Sequence, residues 1–163
     1  MSRRSVKSFL LSHRGFTLFE LIFALTVLGI LSAIAVPNWG TLLFTYRLNS
    51  AVRQIHAELS RVKSRAVAEN TSFRLVFSVA GYGIERDDGT SYESTGESRP
   101  LPEGVDVRST TTPTLGFTAR GTATPGTGGT VKLCNSKDNG KNVVVSSTGR
   151  IRICNPVSCN GTC

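Results

Sequence analysis

A nearly unbroken apolar run from Phe16 to Val36, closed by Pro37, constrains this chain more than any other feature. As a helix it would extend about 32 Å at 1.5 Å per residue, enough to cross the hydrocarbon core of a bilayer. It holds one carboxylate, Glu20, and is preceded by Arg3, Arg4, Lys7 and Arg14. Positive flanks stay cytoplasmic, which sends the rest of the chain outward. In an ordinary secretory signal the cleavage site follows the apolar region, and cutting discards that region. Here the only obvious small-residue site, Gly15-Phe16, lies before it. Cutting there would remove Met1 to Gly15 and leave the apolar helix on the mature chain with a new amine at Phe16.

The run Arg14-Gly15-Phe16-Thr17-Leu18-Phe19-Glu20 resembles the prepilin signature of type IV pilins and type II secretion pseudopilins. The resemblance implies a prepilin peptidase that cuts after Gly15 and N-methylates Phe16. It also implies a single-pass subunit held in the bacterial inner membrane, later extracted into a periplasmic or surface filament with other pilin or pseudopilin subunits. Glu20 stands where the family keeps its intramembrane acid, whose partner is the N-terminal amine of a subunit in the filament. A carboxylate in the membrane interior costs roughly 2.5–3.5 kcal/mol on insertion scales, so it needs such a partner. Gly29 and Pro37 match the family's points of helix melting, and both residue types disfavour helix interiors. The expected organisation is a cleaved leader over 1–15, a transmembrane and filament-core helix over 16–37, and an extracytoplasmic domain over 38–163.

That last segment is long enough for one small domain with a modest core. Loss of the leader leaves 15 of the 19 basic residues against 11 acidic ones, so the net charge falls from +8 to +4. From Trp39 to about residue 70 the pattern predicts an amphipathic helix, with Leu48, Val52, Ile55, Leu59, Val62 and Ala66 along one face. Arg47, Arg53, Arg61, Lys63 and Arg65 fall elsewhere on the wheel and are expected to form a solvated face. Asn70-Thr71 marks the stop. Beyond it the period becomes two. Strands are predicted over 73–79, 82–85, 105–109, 114–119, 130–134, 142–146 and 150–154, with a hairpin at Asp87-Asp88-Gly89. The stretch 92–102 is polar, holds two prolines and is expected to be an exposed loop, and 121–129 a flexible one. A long N-terminal helix laid on a mostly antiparallel sheet is the α+β outcome, the pilin-like architecture, with a disulfide-bearing tail over 155–163.

All four cysteines, Cys134, Cys154, Cys159 and Cys163, lie near the C-terminus. Outside the cytoplasm they are expected to form disulfides. Three pairings are open. The favoured one joins Cys134 to Cys154, closing the sheet, and Cys159 to Cys163 in a tight loop. No cofactor or metal site is expected: Cys-x-x-Cys pairs are lacking, His56 is the only histidine after the leader, and Glu85, Asp87 and Asp88 lack calcium-loop spacing. No catalytic constellation can be assembled, so an enzyme is not expected.

The segments 128–134 and 143–154 resemble the C-terminal part of the GspH/FimT branch of pilin-like proteins. That branch implies one of two roles: a minor pseudopilin of a type II secretion system with protein partners alone, or a minor pilin that binds DNA during uptake. In its DNA-binding members a Gly-Arg-x-Arg motif carries the contact, and Gly149-Arg150-Ile151-Arg152 matches each fixed position. Strand periodicity sets Arg150 and Arg152 on one face about 6.6 Å apart, with Gly149 permitting the turn before them. Guanidiniums can fork onto phosphate oxygens. Lys132, Lys137 and Lys141, close in sequence, are expected to extend the surface. No aromatic residue interleaves with them, so backbone contact to double-stranded DNA is the expectation.

Overall fold

The computed structural model describes residues 16–35, 39–110, 113–124, 128–156 and 158–161. Gly15, Pro37 and Cys163, each given a role above, lie outside them. The chain divides into two units, the second beginning at Gly40. The first contains α1, Leu18–Ala35. Thr17 starts this helix, its Oγ1 accepting the Glu20 N–H at 3.2 Å. That contact is half of a capping box, which gives Thr17-x-x-Glu20 a local role beside any in assembly. Thr26 and Ser32 donate their hydroxyls to the carbonyls of Phe23 and Leu28 at 2.7 and 2.8 Å, so these polar groups are satisfied within the helix. Leu18, Phe19, Leu21, Phe23, Leu25 and Leu28 are all exposed. A helix apolar all round is one that is buried, in a large core or in a membrane. At 18 residues α1 is about 27 Å long. No helix among the described residues is long and apolar enough to cross a membrane.

Helix α2, Trp39–Ala68, lies in the second unit but for its first residue and carries the predicted stripe. Leu48, Val52, Ile55, Leu59, Val62 and Ala66 are all buried, and they share one core with strand residues between Phe73 and Val145. Full burial of each large aliphatic side chain contributes about 1.5–3 kcal/mol. Asn70, at φ 50°, turns the chain out of the helix.

The strands form two antiparallel sheets. One has the order β3-β2-β1-β5-β6, from β1 (Phe73–Ser78), β2 (Gly81–Asp87), β3 (Tyr92–Pro100), β5 (Thr114–Phe117) and β6 (Ala123–Thr124). The other has the order β4-β7-β8-β9, from β4 (Val105–Thr110), β7 (Gly128–Asn135), β8 (Gly140–Ser146) and β9 (Ile151–Cys154). Phe73, Leu75, Leu115 and Phe117 of the first sheet, with Val131, Leu133, Val143 and Val145 of the second, complete the core under α2. Among the described residues all the buried hydrophobic ones lie between Leu48 and Cys159, so this unit contains its own core.

Two expected loops are otherwise. Residues 92–100 form β3, an edge strand whose register with β2 shifts between Gly83 and Glu85. Within 121–129, the described residues are not a free loop either: Gly121 is buried, Ala123–Thr124 is β6, and β7 starts at Gly128. At the 87–91 turn the Asp88 carboxylate accepts the N–H groups of Ser91 and Thr90 at 2.6 and 2.8 Å. Those bonds, the Ser91 one first, pull its pKa down to about 2.

The basic residues of α2 are not merely solvated. Arg61 and Arg65 reach Glu97 of β3 at 2.5 and 2.8 Å, Arg61 also holds the buried Glu58, and Arg99 approaches Glu58 at 3.8 Å. Gln54 Nε2 donates to the Pro100 carbonyl at 3.3 Å. The polar edge strand is therefore fastened to the helix by ion pairs and hydrogen bonds. Hydrogen bonding from Arg61, then Arg65, holds the Glu97 carboxyl below the ordinary range. A depressed carboxyl contributes stability above its unfolded value of about 4.3 and loses it as pH falls through the folded value. Acidification from pH 7 to 3 should thus lower the urea midpoint more in the native domain than in Glu97→Gln. Equal drops would place the acid sensitivity elsewhere.

Candidate nucleic-acid interface

β8 and β9 are joined by the four residues Ser147 to Arg150, a turn with Gly149 in the left-handed region at φ 78°. Ser146 and Arg150 close it. The Ser146 N–H donates to the Arg150 carbonyl at 2.9 Å, the Gly149 N–H to the Ser146 carbonyl at 2.8 Å, and the Arg150 N–H to Ser146 Oγ at 3.2 Å. Gly149 is required twice over. A Cβ on it would sit 1.9 Å from the Gly121 carbonyl oxygen, because the 118–122 turn is pressed onto this one backbone to backbone. The Ala123 N–H reaches across to the Ser147 carbonyl at 3.1 Å and joins the two turns.

Helix α2 fixes the same point from its other side. Lys63 Nζ donates to the Gly149 carbonyl at 2.9 Å and lies 5.8 Å from the centre of the Phe117 ring. His56, Ser60, Lys63, Ser64, Thr148, Arg150 and Ile151 line an open groove of about 460 Å³ between the helix and the turn. Among the described residues no carboxylate lines it.

Arg150 and Arg152 are exposed, and Ile151 between them packs on the core. Arg152 stands opposite Val144 on the sheet face turned away from the core. Elsewhere Arg47, Arg61, Arg65, Arg74, Arg86 and Arg99 are tied to carboxylates. Among the described residues no carboxylate lies within ion-pair reach of Arg120, Arg150 or Arg152. Acidic groups therefore neutralise the side where α2 meets β3 and leave the Gly149 end with unspent positive charge.

The three lysines expected beside the motif do not join it as one cluster. Lys132 shares the outer face with Arg152, but its Nζ donates to the Asn160 carbonyl at 3.1 Å. Lys141 alternates to the other face of β8 and donates to Asn155 Oδ1 at 2.8 Å. Lys137 lies 5.9 Å from the centre of the Phe44 ring. Phe44 and Lys63 are separated by about 28 Å of helix, so Lys137 marks the opposite end of the domain from Gly149. The residues that do meet the motif, Lys63 and the 118–122 turn bearing Arg120, are remote in sequence and were not anticipated.

The cysteine pairing also differs from expectation. Cys134 is bonded to Cys159, with Cα atoms 5.5 Å apart. Cys154 is held in a disulfide as well, so it is not the partner of Cys134. The reason is the path of the tail, which folds back over the outer face of β7 and β8. The Cys159 backbone sits on Gly140, where a Cβ would lie 2.7 Å from the Cys159 Cα. Asn142 Nδ2 donates to the Gly161 carbonyl at 3.1 Å. Among the described residues, no group of His, Cys, Asp and Glu could hold a metal ion.

The family model for the type II transport protein GspH matches residues 51–149, and that for the prokaryotic N-terminal methylation motif matches residues 10–36. No curated protein matches the chain. Among solved structures, the Pseudomonas aeruginosa type IV minor pilin FimU is 23% identical, with a TM-score of 0.59 over 71% of this chain and 96% of its own. The minor pseudopilin EpsH of the Vibrio cholerae type II secretion system is 13% identical, with a TM-score of 0.56 over 69% of this chain and 99% of its own. Escherichia coli GspH is 14% identical, with a TM-score of 0.56 over 68% and 89%. At such identities these structures share the fold. The first family match ends at Gly149, just short of Arg150, Arg152 and the disulfide-bonded tail. Because it spans more than half of the chain and the methylation motif accounts for the N-terminus, the chain belongs to the GspH family of type IV pilin-like proteins.

Proposed function

We propose that the chain is a minor pilin-like subunit of a type IV pilus-type filament that binds double-stranded DNA without sequence preference, for DNA uptake. Prepilin peptidase removes residues 1–15, methylates Phe16 and leaves 16–37 as an inner-membrane anchor, with the domain from residue 38 outside the cytoplasm. Glu20 meets the N-terminal amine of a subunit in the filament, and Gly29 and Pro37 are where the helix melts on assembly. Arg150 and Arg152 contact DNA phosphates. The observation that carries the DNA reading is the pair of exposed guanidiniums, without a carboxylate partner among the described residues, at and just after a turn fixed by Gly149, Gly121 and Lys63.

The test is duplex binding by the oxidised domain from Trp39 onward, measured across a salt series. Binding should weaken with salt, and the Arg150→Ala, Arg152→Ala double variant should lose it while keeping its fold, because phosphate contacts supply the affinity. A folded double variant that binds like the native domain would remove the motif from the mechanism. The second reading, a minor pseudopilin of a type II secretion system with protein partners alone, is favoured by the likeness to EpsH and GspH. Absence of duplex binding by the native domain would select it.

A further inference from the structure

We infer that the 118–122 turn is a second arm of the DNA site, with Arg120 as its phosphate contact; the inference rests on the DNA reading above. The Gly121 carbonyl touches the space beside Gly149, and Arg120 and Arg150 are the immediate chain neighbours of these two glycines. With 3.8 Å between consecutive Cα atoms on either side of that contact, their Cα atoms are no more than about 13 Å apart. Two long guanidinium arms from such points reach phosphates of one duplex. Arg120 is exposed, and its side chain has no ion-pair partner among the described residues.

The turn holding it is internally closed, which makes it a support rather than a loose loop. The Thr118 N–H donates to the Thr122 carbonyl at 2.9 Å and the Gly121 N–H to the Thr118 carbonyl at 2.8 Å, while the two threonine hydroxyls lie 2.8 Å apart. The Arg120 N–H adds a bond to Thr118 Oγ1 at 3.3 Å. Its backbone N–H is engaged, and among the described residues its side chain has no ion-pair partner. Arg150 stands in the same condition, with its N–H and carbonyl both bonded to Ser146.

Arg120→Ala in the same oxidised domain separates a site contact from general charge loss when set beside Arg108→Ala. Arg108 is also exposed but lies on β4, the far edge of the sheet from β9. Arg120→Ala should bind a short DNA duplex several-fold more weakly at fixed salt. Its log affinity against log salt should be shallower by about 0.9, as expected when the protein neutralises one phosphate fewer. Arg108→Ala should keep the native slope, and thermal unfolding of both should match the native domain. Equal small effects of the two substitutions would overturn the role of Arg120 while leaving that of Arg150 and Arg152 intact. A native domain that binds no duplex would overturn both.

Discussion

Gly149→Ala is expected to destabilise the domain by about 3 kcal/mol and to abolish DNA binding with it. Two penalties combine. A side chain in the left-handed region costs roughly 1–2 kcal/mol, and Gly149 sits there at φ 78°. The added Cβ would also lie 1.9 Å from the Gly121 carbonyl oxygen, a backbone atom that moves only if the two turns separate. Gly96 isolates the first penalty, since it has the same φ of 78° with nothing within 4 Å of an added Cβ. Gly96→Ala should therefore cost only the conformational part, and the difference between the two urea midpoints measures the docking of the turns. The functional consequence follows from position. Separating the turns also draws the Gly149 carbonyl away from Lys63 and frees Arg150 from its fixed setting, so affinity should fall as far as in the double arginine variant. Similar stability losses for Gly149→Ala and Gly96→Ala would show that the two turns tolerate separation.

The helical stripe and the core strands were legible because each has one buried face. Leu48 to Ala66 repeats at helical spacing, and Phe73 and Leu75 alternate with Arg74 and Val76, so burial writes its period into the residue types. β3 has no such face. An edge strand pairs on one side only, and its attachment to α2 through Glu97, Arg61 and Arg65 uses charged residues that read as a loop. The motif arginines were likewise legible as a local pattern. Their surroundings were not, because backbone docking at glycine brings Gly121 to Gly149, and one long side chain brings Lys63 there from 86 positions away. Proximity in sequence misled in the opposite direction for Lys137, which strand geometry carries to the other end of the domain beside Phe44.

Removing the Cys134–Cys159 disulfide by paired alanine substitution is expected to lower stability by about 3.5 kcal/mol, the loop-closure value for the 25 residues it spans. Both cysteines are nearly fully buried, so the bond also pins the tail where Cys159 lies on Gly140 and Asn160 accepts from Lys132. Once the bond is gone, the tail keeps those contacts and the Asn142 to Gly161 hydrogen bond, and Cys154 keeps its own disulfide. Urea unfolding of the variant beside the native domain measures the loss, and a change below about 1 kcal/mol would mean that residual structure or strain offsets the constraint. Duplex binding well below the unfolding transition should change little. The Gly149 turn is held by Gly121, Ala123 and Lys63, none of which belongs to the tail, so the disulfide stabilises the fold without setting the arginines. A folded variant that no longer bound DNA would instead put the tail within the binding surface, on the side where Lys132 shares the face of Arg152.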